Sequence, residues 1–302
     1  MARVLKTAVL GRAAFGGVFA FVLAAICVAA PERVLLAHLG PAAVQGLDHI
    51  PLAVRDLDHA TADFERLGFV LKPGRAHDDG IRNRHIKFPD GTSLELITPP
   101  IAPTDELTSE YLTWLKSGDG PAFWSLRSDD LPSLARRLKT LKPAPQLHGG
   151  LVDFPFASSF HQLFFAGGEK SPTDRPEYFA HPNTAYRLAA IWLADSADQR
   201  QLVLQLGARG DTRSACSPFD RHAETTVLPD GTHIVFSRVA KAQLGRAVMG
   251  ATILVRSLAK ARQMLETGHV TYLTPRACAD RSLWIPASET HGLWLELREQ
   301  AS

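Results

Sequence analysis

Between residues 47 and 99 the spacing of apolar positions changes repeatedly, and each change marks an element. Ile50, Leu52 and Val54 alternate with His49, Pro51 and Ala53, the two-residue period of a strand with one apolar face. Leu57, Ala60, Phe64 and Leu67 then recur at steps of three and four. Asp56 stands where a helix is capped and Gly68 where one stops. Phe69 to Lys72 reads as a short strand, and Arg84 to Phe88 pairs with Ser93 to Ile97 as a hairpin. Phe88-Pro89-Asp90-Gly91-Thr92 suits a three-residue turn with Gly91 left-handed, which sets Phe88 opposite Thr92, Ile86 opposite Leu94 and His85 opposite Glu95. The unit is therefore βαβββ.

Three further units follow the same plan. The second opens at Gly120-Pro121-Ala122-Phe123-Trp124-Ser125-Leu126-Arg127, carries Leu131, Leu134, Leu138 and Leu141 on one helical stripe, and is expected to close with the aromatic strand Phe160 to Phe165. The third runs from about Leu188 to Val239 and the fourth from about Val248 to Leu297. Pro89-Asp90-Gly91-Thr92 returns as Pro229-Asp230-Gly231-Thr232, and Val54/Val255, Arg55/Arg256, Leu57/Leu258 and Glu95/Glu296 all differ by 201. A constant offset across a module argues for duplication. Residues 167–185 are rich in Gly and Pro without apolar periodicity, which is the composition of a linker.

The first thirty residues break the globular pattern. Arg3, Lys6 and Arg12 precede an uncharged run from Ala13 to Ala30, long enough for an export signal and at the lower limit for a membrane-spanning anchor. Both readings place the folded part outside the cytoplasm, released or anchored. Ile26 before Cys27 stands where a lipoprotein signal needs a small residue. Cys216 and Cys278 lack metal-type spacing, and nothing in the sequence brings them within disulfide reach. A net charge of +2 with scattered Lys and Arg excludes a nucleic-acid partner from the leading readings.

Four βαβββ units, with Asp48-His49-Ile50 near the start and Leu94-Glu95-Leu96 near the end of the first, resemble the vicinal oxygen chelate superfamily, and within it the glyoxalase-like proteins. Arg175-Pro176-Glu177-Tyr178-Phe179 and His181-Pro182-Asn183-Thr184-Ala185 resemble the segment between halves of such proteins. The resemblance implies an α+β fold in which paired modules close into eight-stranded cups. One cup would span 44–167 (modules 47–99 and 120–167), a linker 168–185, and a second cup 186–299 (modules 188–239 and 248–297). An apolar helix within residues 1–40 would precede them.

By the same resemblance His49 and Glu95 occupy metal-ligand positions, and an imidazole with a carboxylate suits Fe, Mn, Zn or Ni. Strand alternation turns both side chains toward one face, and the hairpin register adds His85, which would ligate the same ion or hydrogen-bond Glu95. Glu95 and His85 are the candidate catalytic residues. The match fails in the second module, where Phe123 stands in place of a histidine and the last strand offers only His161 or Gln162. Phe123, Trp124 and Phe164 are candidate pocket residues, with core packing the competing role. In the second half Leu188 and Gly250 replace His49 and Val235 replaces Glu95, so only Glu296 persists. Two functions remain open: a divalent-metal lyase, isomerase or dioxygenase acting on a small oxygen-bearing molecule, or a metal-independent protein that binds or sequesters one.

Overall fold

In the first module, β1 (Gly46–Leu47) and β2 (His49–Ala53) lead into α1 (Leu57–Arg66). Asp56 starts α1 by accepting hydrogen bonds from the backbone N–H groups of Asp58 and His59, both at 3.0 Å. Gly68 ends it at φ +82°, a conformation that glycine adopts without strain. The Gly68 and Phe69 N–H groups bond to the Glu65 and Phe64 carbonyls. Phe69 thus belongs to the helix end, and β3 is only Lys72–Pro73, later than the expected Phe69 to Lys72. The hairpin of β4 (Arg82–Lys87) and β5 (Ser93–Thr98) has the register read from its turn, Ile86 opposite Leu94 and His85 opposite Glu95. Gly91 sits at φ +94°.

The computed structural model describes residues 43–75, 77–168, 171–215, 220, 223–240, 245–275 and 281–300. The apolar run 13–30, Cys27, Cys216 and Cys278 lie outside the described residues. Among the described residues no helix is long and apolar enough to cross a membrane.

An unanticipated helix, α2 (Glu106–Leu115), precedes the second module. Asp105 and Thr108 close a reciprocal capping box at its start. The module itself comprises β6 (Gly120–Pro121), β7 (Trp124–Arg127), α3 (Leu131–Leu138), β8 (Gln146–His148), β9 (Leu151–Asp153) and β10 (Leu163–Ala166). β10 is shorter than the expected Phe160 to Phe165 because a turn bonds the N–H groups of His161 and Leu163 to the carbonyls of Ser158 and Phe160. The third module holds β11 (Ala185–Asp195), α4 (Ala197–Gln205), β12 (Arg209–Ala215), β13 (Ala223–Val227) and β14 (His233–Ala240). The fourth holds β15 (Val248–Val255), α5 (Leu258–Thr267), β16 (Ser282–Ile285) and β17 (Trp294–Glu299).

Each module pairs its first strand in parallel with its last: β2 with β5, β7 with β10, β11 with β14, β15 with β17. Modules join through their first strands. β1 and β2 run antiparallel to β7 and β6 with Gly46 opposite Arg127 and Ala53 opposite Gly120, so two five-stranded sheets, β3-β4-β5-β2-β6 and β1-β7-β10-β9-β8, meet in one cup. In the second half β11 and β15 join a single seven-stranded sheet, β12-β13-β14-β11-β15-β17-β16. The pairing of Pro51 with Glu95 in the first module recurs as Thr252 with Glu296 in the fourth.

Strand alternation sends every second side chain to the convex face, under the helices. Ile50, Leu52, Leu94, Leu96, Trp124, Leu126, Phe165, Ile191, Ile253 and Leu295 there form one continuous core with Phe64 of α1 and Leu265 of α5. The helical layers of the two halves are thus packed together. The 168–185 segment is bound along its described length rather than loose. Asp174 joins Lys72 and Lys87 at 2.6 and 2.7 Å. His181 accepts from the Val70 N–H and faces the Lys87 carbonyl, while the Asn183 amide donates to Leu67.

Candidate functional site

The concave face of the first cup gathers the polar residues that the sequence singles out. His49 leads β2 and Glu95 lies mid-β5, with Pro51 beside Glu95 in the ladder. Their side chains meet: His49 Nε2 is 3.4 Å from Glu95 Oε2. On its other side His49 Nδ1 lies 2.5 Å from Asp48 Oδ1. The Asn83 amide donates to Glu95 Oε1 at 2.6 Å, and His85 Nε2 lies 3.8 Å from that oxygen and 3.3 Å from the Asn83 amide nitrogen.

Electrostatics follow from this packing. Burial alone would lower the His49 pKa, but hydrogen bonds to Asp48 and Glu95 outweigh it and raise it to about 10. Burial pushes Glu95 upward, yet His49, His85 and Asn83 together hold it down at about 2. Burial lowers His85, against the pull of Glu95. At neutral pH His49 is therefore held as the imidazolium and Glu95 as the carboxylate of this pair.

An aromatic wall faces this cluster. His49 meets the Phe164 ring edge to face at 5.3 Å, Phe164 meets Phe123 at 6.4 Å, and Phe123 meets Tyr111 of α2 at 5.4 Å. Register explains which positions these are. Phe123 lies three residues after Gly120 as His49 lies three after Gly46, which matches Pro51 to Ser125. Pro51 pairs with Glu95, and Ser125 pairs with Phe164. Phe164 is thus the counterpart of Glu95, just as Phe123 is the counterpart of His49.

Trp124 does not share this wall. It is fully buried on the opposite face of β7, in the core beneath the helices, because adjacent strand residues point to opposite faces. Its candidacy as a pocket residue is corrected accordingly. Gln162 is also not directed at the cluster; it donates to the Ala122 carbonyl and accepts from the Ala247 N–H. His161 stacks on Trp114 with Nε2 3.7 Å from Glu110 Oε1. Burial raises the Glu110 carboxyl to about 7, so α2 brings to this face a group able to exchange a proton at neutral pH. Asp48, Asn83, Tyr111 and Glu110 were not singled out from sequence. Asp48 adjoins His49, and the parity of Asn83 with His85 was available as a signal; the α2 residues reach the face only through packing.

His49 and Glu95 are spaced as two ligands of one ion would be, but an active metal centre normally has three protein ligands. Among the described residues the only His/Asp/Glu trio with donor atoms all within 4.8 Å of one another is His59, Asp63 and His291, outside this cup. No third donor joins His49 and Glu95 within that distance among the described residues, and the counterparts in the second module are phenylalanines. The donor set of the first cup does not complete a metal site.

Among the described residues the second cup shows no comparable His/Glu pair. Trp192, Trp284, Met249 and Val235 fill its interior, with the two indoles 5.2 Å apart. Glu296 is 3% exposed. It accepts from the Thr252 hydroxyl at 2.6 Å, and Thr252 in turn accepts from the Trp192 indole. Burial raises its pKa.

Paired βαβββ modules around a concave face define the vicinal oxygen chelate class, and comparison with known proteins agrees. A glyoxalase-like domain family matches residues 47–206, more than half of the chain, and the chain belongs to that family. No curated protein matches the sequence. Among solved structures, a variant of 4-hydroxymandelate synthase from Streptomyces coelicolor is similar over 87% of this chain and 94% of its own, at 15% identity and a TM-score of 0.60. A variant of homoprotocatechuate 2,3-dioxygenase from B. fuscum is similar over 87% and 74%, at 12% identity and 0.56. A hypothetical protein from Staphylococcus aureus is similar over 84% and 98%, at 12% identity and 0.56. At these identities the likeness is one of fold, and it extends through the second half.

Proposed function

We propose that the first cup is a metal-independent site for a small organic molecule with a planar apolar body and a hydroxyl or amine end. The observation that carries this reading is the pair Phe123 and Phe164, which stand at the two positions facing His49 and Glu95 where further metal ligands would be needed. Phe164 is the half-buried member available to a planar body, and Phe123 and Tyr111, both buried, back it. Glu95 supplies the polar contact: it is held ionised within the cluster it forms with Asp48, His49 and His85. Such a cluster favours a donor or cation over an anionic end.

The competing reading is a divalent ion held by His49 and Glu95, which their 3.4 Å separation favours and the lack of a third convergent ligand disfavours. Calorimetry with 4-methylcatechol, benzylamine and benzoate, each with and without EDTA, separates the two. The expected result is binding of the first two over benzoate, unchanged by EDTA and weakened at least about tenfold by Glu95→Gln or Phe164→Ala. Binding abolished by EDTA, together with stoichiometric metal in the untreated protein that Glu95→Gln removes, would overturn the proposal.

A further inference from the structure

A second polar group lies outside both cups, where α1 meets the loop between β16 and β17. His59 and Asp63 are one helical turn apart on α1, so they project from the same side. His291 arrives from the fourth module, with Nε2 2.9 Å from Asp63 Oδ2 and Nδ1 2.9 Å from Asp119 Oδ2. His59 Nε2 lies 3.6 Å from the same Asp63 oxygen. The other Asp63 oxygen is taken by Arg66 at 2.8 Å. Two imidazoles therefore address one carboxylate oxygen, and a donor atom from each of the three residues lies within 4.8 Å of the others.

We propose that His59, Asp63 and His291 form a site for a divalent transition-metal ion of the zinc type, which ties the first module to the fourth. Two imidazoles and a carboxylate suit zinc, and three protein ligands leave one tetrahedral position for water. The surrounding contacts are those of a built site. Asp119 accepts from the His291 Nδ1–H, which leaves Nε2 as the ligand atom aimed at Asp63 and His59, the carboxylate–histidine–metal arrangement. The His291 backbone is fixed in that pose: it sits at φ +52°, and Gly292 behind it packs so closely that an added Cβ would lie 2.4 Å from the Asp119 carbonyl oxygen. The His59 side chain is 69% exposed and gives the ion a route in from solvent. Binding would replace the proton shared by His291 and Asp63 with a cation that also engages His59. Because its ligands come from α1 and from near the other end of the fold, the ion would stabilise the junction between halves.

The test is a zinc titration of the tag-free, full-length protein after chelator treatment, read by calorimetry and by thermal melting. The structure leads us to expect one ion per chain at this site, a melting temperature raised by zinc, and affinity reduced at least about tenfold in His59→Gln and His291→Gln. Asp119→Asn is expected to weaken binding by about 10–100-fold, as loss of a ligand's orienting partner does. His49→Ala is expected to leave this ion bound. His59→Gln is the decisive variant, since its exposed side chain can be exchanged without disturbing the fold. The absence of zinc binding, binding that His59→Gln leaves unchanged, or binding lost in His49→Ala and retained in His59→Gln would each overturn the proposal.

Discussion

Replacing Asp174 by Asn tests whether the segment between the halves is structural. Asp174 bridges Lys72 and Lys87 at 2.6 and 2.7 Å, and the three side chains are 14%, 6% and 13% exposed. Removing one partner from a buried ion pair costs about 3–5 kcal/mol, because the other charge remains desolvated. Here Ser171 still accepts from Lys72, and Lys87 can shift toward water, so the lower end applies, about 3 kcal/mol. At roughly 2–4 °C per kcal/mol for a chain of this size, the melting temperature falls by about 6–12 °C. Thermal unfolding followed by circular dichroism at pH 7 measures it. The pH dependence supplies a second check. Burial raises the Asp174 pKa, but Lys72 and Lys87 outweigh it and hold the group below its ordinary value. Its contribution is therefore fully present above the unfolded-state value of about 4 and is lost as pH falls through the folded-state value. The gap between wild type and Asp174→Asn should stay constant from neutral pH to about 5 and close below that. Adding Lys72→Met to Asp174→Asn should recover part of the loss, since an apolar side chain needs no counter-charge. A variant that melts within about 1 °C of wild type at pH 7 would refute the reasoning.

Arg246 is 7% exposed and donates to the carbonyls of Pro121, Trp114 and Gly118 while lying over the Trp114 ring. Arg246→Met is expected to destabilise by about 2–4 kcal/mol, measured by urea unfolding, because buried carbonyls lose their donor. Glu110→Gln is expected to stabilise the protein at pH 8 and to change little at pH 4. The folded-state pKa of about 7 exceeds the unfolded one, so the penalty is absent below the unfolded value, grows as pH rises through the interval between the two, and is complete above the folded one; equal melting curves at pH 8 would contradict it. For the N-terminal run 13–30, a fusion of residues 1–45 to a reporter active only after export should give signal, and an inactive, untruncated cytoplasmic product would refute export.

Local chemistry was legible wherever one segment decides its own geometry. The Phe88 to Thr92 turn gave the register of its hairpin, and with it the meeting of His85 and Glu95, because a three-residue loop with a left-handed glycine allows one pairing. Asp56 and Gly68 marked the ends of α1 for the same reason. The strand at Phe69 was misread because those backbone groups complete the helix end instead. Trp124 takes the core role rather than the pocket one, because neighbours in a strand point to opposite faces.

The sequence by itself determined the βαβββ modular plan, which the fourth module follows with only β16 and β17 as strands after α5 among the described residues, the family resemblance, and the presence of His49, His85 and Glu95 on one side of one sheet. Those features depend on periods and turns that a dozen residues impose on themselves. Tertiary structure alone decided that the first two modules close on each other, and that Tyr111 and Glu110 of α2 reach the face of the first cup. It also decided that the interior of the second cup is filled by Trp192 and Trp284. The same holds for His59, Asp63, Asp119 and His291, which come together only when α1 and the fourth module pack into one core. Asp63 and His291 alone are 228 residues apart, which leaves no local pattern to read; the shared apolar face that draws the helices together places them, and only the folded chain makes that contact.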